Sequence, residues 1–181
     1  MRLAVRLFLG GVLATGLWAG GWSAPVEATD RSGTALVTCR ARLAGGHLVV
    51  ELRAKPGWHV YAMDNERRAK EALAGRMSLG VEESTEVVVQ EGLRVTGPWL
   101  QSEPQDFSQP ELRWYSYGFE GIALLAAPVE RTGGDTGRVS VRAQACDAAS
   151  CIRVDADLAV PLADQGVEAF STAGLVEVRR Q

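Results

Sequence analysis

Apolar and polar residues alternate along most of the chain after residue 33, in short runs that end at turn residues. Alternation with a period of two is typical of strands that bury one face and expose the other. The breaks between runs carry turn formers, for example Lys55-Pro56-Gly57 and Gly133-Gly134. Strands are predicted at 34–43, 46–54, 58–62, 85–90, 120–130, 138–145 and 152–161.

These short strands predict an all-β fold, an immunoglobulin-like antiparallel β-sandwich that follows an N-terminal signal segment. One stretch, 65–75, favours a helix and is polar enough to be a surface insertion. The sandwich domain is expected to cover residues 29–162. The tail at 163–181 fits either a short helix or a frayed extension.

Residues 1–28 have the pattern of a secretory signal peptide. Arg2 and Arg6 precede an apolar run at 7–22, and small residues follow it. Val26-Glu27-Ala28 offers a small-residue site, so we expect cleavage after Ala28. An uncleaved anchor is the alternative, because the apolar run is nearly long enough to span a bilayer. The folded part is predicted to be periplasmic or secreted, where the surroundings oxidise thiols.

Composition excludes some classes of function. The 181 residues include 19 Lys plus Arg and 22 Asp plus Glu, for a net charge of -3, and 46% are hydrophobic. This is an ordinary globular balance without the positive charge that nucleic-acid binding requires. The sequence has no Gly-x-Ser-x-Gly motif, so hydrolysis has no support, and no cofactor is expected.

The three cysteines differ in their place within the alternation. Cys39 shares its phase with apolar residues and is expected to be a buried, inert thiol. Cys146 and Cys151 fall in the polar phase of the last two predicted strands and flank a loop of hairpin length, 147–150. Their side chains are therefore expected to face each other on the exposed side of the hairpin, close enough to form a disulfide.

The role of this pair has three interpretations. A structural bridge across so short a loop adds only about 2 kcal/mol of stability in the chain-entropy estimate. A metal site needs further ligands, and the sequence offers only His47 and His59 and no second cysteine pair. The polar position and the small stabilising effect favour a redox-active pair. A non-enzymatic, protein-binding sandwich with a structural disulfide is the alternative.

Three segments, in this order, resemble the N-terminal periplasmic domain of the bacterial thiol:disulfide interchange protein DsbD. They are Lys55-Pro-Gly-Trp-His-Val-Tyr61, Trp114-Tyr-Ser-Tyr-Gly-Phe-Glu-Gly121 and Gln144-Ala-Cys-Asp-Ala-Ala-Ser-Cys151. The resemblance spans roughly residues 34–162 and implies an immunoglobulin-like sandwich with one reversible disulfide on a hairpin. The chain departs from the family after the second cysteine, where members commonly carry a proline and this sequence has Ile152-Arg153-Val154.

The resemblance also implies roles for individual residues. Cys151 would form the mixed disulfide with a partner, and Cys146 would resolve it. Arg153, on the same face, would favour the thiolate of Cys151. The family shields its disulfide with a short cap loop that bears an aromatic residue, and Asp106 and Phe107 match that loop by position.

The implied activity is that of a protein-disulfide reductase or another thiol-disulfide interchange component. The implied partners are exported thiol or thioredoxin-like proteins. The sequence has no multi-span membrane segment and no Cys-x-x-Cys motif, so a separate membrane electron donor is expected. Trp58 and Tyr61 are interpreted as core residues, and His59 as a structural histidine rather than a base.

Overall fold

The computed structural model describes residues 21–78, 83–162 and 169–179. The described residues form one α-helix, α1 (Asn65–Leu73), a 3₁₀ turn at Pro110–Leu112, and thirteen strands. Within these ranges no helix is both long and apolar enough to cross a membrane. The strands are β1 (Val26–Thr29), β2 (Ala35–Ala44), β3 (His47–Ala54), β4 (His59–Tyr61), β5 (Glu86–Glu91), β6 (Leu93–Val95), β7 (Leu100–Ser102), β8 (Gln105–Asp106), β9 (Tyr117–Glu120), β10 (Ile122–Arg131), β11 (Thr136–Cys146), β12 (Cys151–Pro161) and β13 (Leu175–Glu177).

The strands form two antiparallel sheets. The first has the order β1-β2-β3-β10-β7-β13, and β6 also pairs with β10. The second has the order β12-β11-β4-β9-β8, and β5 also pairs with β11. The predicted all-β, immunoglobulin-like sandwich is confirmed. Every strand predicted from the alternation is present within two residues of its expected bounds.

One hydrophobic core lies between the sheets, and β12 shows how the alternation builds it. Val154, Ala156, Leu158 and Val160 are buried, and the residues between them are exposed. Cys39 joins the same cluster with 0% exposure, as its phase predicts. Apolar side chains of β2, β3, β10 and β11 supply much of the rest of the cluster, because each of these strands turns one alternating set of residues inward. Single residues of β4, β5, β6 and β9 also belong to it.

Two strands lie outside the predicted limits of 29 and 162. Val26 of β1 pairs with Cys39, and β13 pairs with β7. The expected cleavage point, after Ala28, falls inside β1, so a cut there would remove three of its four residues. Most of the predicted signal peptide, residues 1–20, lies outside the described residues, and the signal stays a prediction.

A buried carboxylate joins α1 to the sandwich. Asp64 lies directly before the helix, and its carboxylate accepts hydrogen bonds from Arg68 Nε at 2.9 Å and Gln101 Nε2 at 2.6 Å. It also accepts the backbone N–H of Arg179 at 3.1 Å. A buried charge is tolerated only with such partners. The three bonds therefore tie the helix, β7 and the C-terminal segment together.

Candidate functional site

The site lies at the tip of the β11–β12 hairpin. The two strands stay in register along their full length, from Thr136 opposite Pro161 to Cys146 opposite Cys151. The two cysteines are bonded as a disulfide, with Cα atoms 4.1 Å apart. The alternation predicted that these side chains face each other, and the structure confirms it.

Asp147 shapes the turn between the two cysteines. Its carboxylate Oδ1 accepts the backbone N–H of Ala149 at 2.8 Å and that of Ser150 at 2.7 Å. The backbone N–H of Asp147 donates to the carbonyl of Ser150 at 2.9 Å. The hydrogen bonds from Ala149 and Ser150 hold the pKa of Asp147 below its usual value. The turn is thus built from local bonds that leave the disulfide at the end of the ladder.

The two cysteines differ in exposure. Cys151 is exposed, whereas Cys146 is only 2% exposed. The expectation that both cysteines stand open on the polar face is therefore wrong for Cys146. Alternation places Cys146 away from the core, but β4 lies beside it in the sheet and the Tyr61 side chain of β4 contacts its sulfur.

Tyr61 of β4 contacts the buried sulfur. Its hydroxyl oxygen lies 3.4 Å from Cys146 Sγ, and because a disulfide sulfur carries no hydrogen, the phenol is the donor. Tyr61 is 1% exposed, but it points away from the core cluster that holds its neighbour Val60. Tyr61 is therefore buried, as its assignment to the core expects, and its hydroxyl also contacts the cysteine pair.

Four residues form a cross-strand row on this face of the second sheet. Cys151 is opposite Cys146, Cys146 is opposite His59 of β4, and His59 is opposite Glu120 of β9. Burial lowers the pKa of His59, and the nearby charges of Glu120 and Asp147 act in the other direction. Sequence reasoning missed this row, because β9 was not separated from β10 and β4 has only three residues.

Phe107 lies over the row. Its ring stacks on His59 with centroids 4.2 Å apart and planes 9° from parallel. The backbone N–H of Phe107 donates to Ser116 at 2.9 Å, and the Asp106 carboxylate accepts the N–H of Ser108 at 2.8 Å. Asp106 itself is exposed and ends β8. The structure thus brings Phe107, but not Asp106, against a neighbour of the cysteines, and the cap function stays a prediction.

Arg153 lies one outward-facing position along the hairpin from the disulfide. It is exposed and pairs with Gln144. It lines a cleft of about 720 Å³ whose walls also include Arg142, Asp155 and Glu66. Its effect on the thiolate of Cys151 stays a prediction.

Cys39 lies in the hydrophobic core, apart from the cross-strand row. Burial raises the pKa of the Cys39 thiol to about 12, so the residue is inert as a nucleophile. Within the described ranges, no group of three or more His, Cys, Asp and Glu side chains is arranged to hold a metal ion.

Comparison with known proteins shows the fold. No protein-family model matches the chain, and no curated protein matches it. The chain is similar to the N-terminal periplasmic domain of ScsB from Proteus mirabilis, with a TM-score of 0.53 and 15% identity over 80% of this chain and 54% of that one. It thus spans about half the length of that ScsB structure.

A second similar structure is the DsbD N-terminal domain of Neisseria meningitidis in the reduced form. Its TM-score is 0.48 at 14% identity, over 80% of this chain and 91% of that one. The likeness to the ScsB domain shows a common fold. The sandwich fold expected from the sequence resemblance is therefore confirmed.

Proposed function

We propose that this protein is a periplasmic thiol-disulfide exchange module that passes reducing equivalents to or from partner proteins through Cys146 and Cys151. One observation carries the proposal: the bonded pair combines an exposed cysteine with a buried one at the end of a hairpin. A thiol-disulfide exchange site needs one sulfur that a partner can reach and a second sulfur beside it that can displace the partner.

The difference in exposure supports a separate role for each cysteine. In the reduced protein, the Cys151 thiolate attacks a partner disulfide and forms a mixed disulfide, releasing one partner thiolate. Cys146 then attacks Cys151 Sγ, which restores the Cys146–Cys151 bond and releases the second partner thiol. Two electrons pass to the partner in total. A reduced donor runs the same steps backwards, attacking Cys151 because that sulfur is exposed.

The remaining parts of the proposal concern shielding, location and partners. Phe107 acts as the cap over the row, in a loop shaped by Asp106, and Arg153 favours the Cys151 thiolate. Partners are exported thiol or thioredoxin-like proteins, with electrons from a separate membrane protein. Export rests on the N-terminal signal pattern, and the ScsB structure similar to this chain is that of a periplasmic domain.

The reduction potential tests this function against a structural bridge. The purified protein is equilibrated in glutathione redox buffers, and the two states are counted by thiol alkylation and mass. A potential above about -300 mV supports exchange, and one well below that value supports an inert bridge. A Cys39→Ala variant is the matched control, because it removes the buried thiol and should keep the same potential. A bridge that resists reduction in every buffer would overturn the proposal.

A further inference from the structure

The cross-strand row places a histidine on the far side of the buried sulfur. We propose that His59 accepts the proton of the Cys146 thiol when that thiol resolves a mixed disulfide, and that Glu120 supports the imidazolium that forms. This inference rests on the proposed exchange function and adds a proton-transfer residue to it.

Cys146 needs such a group because of where it lies. The thiolate is the reactive form of cysteine, and an apolar, buried position disfavours it. Cys146 is 2% exposed, so bulk water has little access to its proton. Cys151 is exposed and can lose its proton to solvent. The two steps of exchange therefore differ, and only the resolving step requires a base inside the protein.

His59 has the right position for this task. It is the direct ladder partner of Cys146, and directly opposed residues in antiparallel strands have Cβ atoms about 4.5–5.5 Å apart. Both side chains point away from the core, because their neighbours Val60 and Ala145 belong to the core cluster. The imidazole therefore lies on the same face as the thiol and next to it.

The surrounding rings hold the imidazole in place and leave its nitrogens available. Phe107 covers a face of the His59 ring at 4.2 Å, and the Tyr61 ring is tilted beside it at 5.5 Å. Stacking uses the face of an aromatic ring, whereas Nδ1 and Nε2 lie at its edge. Phe107 thus excludes water from the ring face without occupying the atoms that take a proton.

The charges around His59 suit a base that is neutral before the step. Glu120 faces it from β9, and Asp147 lies beyond Cys146 in the turn. Burial lowers the pKa of His59, which keeps the imidazole neutral near pH 7, and the two carboxylates then stabilise the imidazolium. Tyr61 adds a phenol near the same sulfur, and the carboxylate of Asp106 is held by Ser108 in the cap loop.

The proton of the Cys146 thiol moves to a ring nitrogen of His59, and the resulting thiolate attacks Cys151 Sγ in the mixed disulfide. The Cys146–Cys151 bond forms, and the bond from Cys151 to the partner sulfur breaks. The partner leaves as a thiolate and takes a proton from solvent, and the imidazolium later returns its proton to solvent.

A chromogenic aromatic disulfide, 5,5′-dithiobis(2-nitrobenzoate), separates the two steps. Mixed with the fully reduced protein, it releases one thionitrobenzoate when Cys151 attacks and a second when Cys146 resolves. In His59→Phe, which keeps an aromatic ring, we expect the second release to slow about tenfold or more at pH 7. The first release should stay within about twofold. The inflection that His59 gives to the pH profile of the second step, expected below the ordinary pKa of histidine, should disappear.

Two further variants sharpen the result. Glu120→Gln should move that inflection to lower pH, because the Glu120 charge acts to raise the pKa of His59. His47→Phe is the matched control: His47 also contacts a phenylalanine, Phe170, with centroids 5.6 Å apart, but it belongs to the first sheet. Its rates should equal those of the wild type.

The outcomes separate this inference from the exchange function. A wild type that gives no second release would overturn both. A folded His59→Phe variant with the wild-type second rate and pH profile would overturn only the role of His59. If His59→Phe does not fold, His59→Gln is measured in the same way, and NMR titration of His59 in the wild type supplies an independent readout. Equal imidazole pKa values in the oxidised and reduced protein would then refute the inference.

Discussion

Cys39 in the core and Cys146 at the hairpin tip are almost equally buried, at 0% and 2% exposure. Their neighbours differ. Cys39 lies between Val26 and Leu52 across its two ladders, so only apolar side chains flank it. Cys146 lies between Cys151 and His59. Burial alone therefore does not decide whether a cysteine is reactive. The side chains next to its sulfur decide it.

The largest expected effect comes from replacing the two cysteines of the hairpin tip one at a time. Cys146→Ser should accumulate a mixed disulfide with an oxidised thioredoxin-like protein, because the resolving thiol is gone. Cys151→Ser should form almost none, because Cys146 is buried. Non-reducing gels and intact mass identify the adduct. Cys39→Ala should exchange like the wild type, and an adduct through Cys146 in Cys151→Ser would reverse the assigned roles.

Burial of Cys39 should make the stability of the protein fall at alkaline pH. The pKa of Cys39 rises from 9.0 to about 12 on folding, so above pH 9 the unfolded chain loses a proton that the native protein retains. Below pH 9 this group does not change the free energy of unfolding. Between pH 9 and about pH 12 it lowers the free energy of unfolding by about 1.4 kcal/mol per pH unit. Urea unfolding at pH 8 and pH 10.5 should show a smaller loss in Cys39→Ala. Equal losses in both proteins would contradict the burial of this thiol.

A smaller effect is expected when the Phe107 ring is removed from the hairpin tip. Phe107→Ala deletes the ring that stacks on His59, and such aromatic pairs contribute about 0.5–1.5 kcal/mol. The rate at which dithiothreitol reduces the disulfide should therefore rise about two- to tenfold. Phe170→Ala, which deletes the ring beside His47, is the control and should leave the rate unchanged. No increase for Phe107→Ala would mean that this ring does not shield the disulfide.

The smallest effect should come from the exposed charge beside the tip. Arg153→Gln should slow the first attack by Cys151 about two- to threefold at low salt and less at high salt, because interactions between exposed charges are weak and screened. Stopped-flow release of thionitrobenzoate measures it. Arg138→Gln, at the far end of the same hairpin, should not change the rate. A salt-independent effect would argue for a role other than charge.

The hairpin and the core could be predicted because each depends on local alternation. In β12, apolar residues at every second position fix which side is buried, and the same rule set the phase of Cys39, Cys146 and Cys151. The short loop between the last two then fixed their pairing. Local patterns of this kind do not require knowledge of the rest of the fold.

The neighbours of the tip could not be predicted, because they depend on which strands lie side by side. The sequence shows that His59 and Tyr61 share a face, but not that β11 lies against β4. Burial of Cys146 follows from that contact. β1 and β13 were missed for another reason: both are short, and the residues of β1 also fit the end of a signal peptide.

The placement of β1 and β13 at opposite edges of one sheet has a consequence for the order of folding. β13 pairs with β7, and the Arg179 N–H donates to Asp64, so this edge of the sheet depends on contacts between residues far apart in sequence. Cys146 and Cys151 close a short loop, which costs less entropy than the long loop from Cys39. Loop length therefore favours the correct cysteine pair even before the sheet is complete.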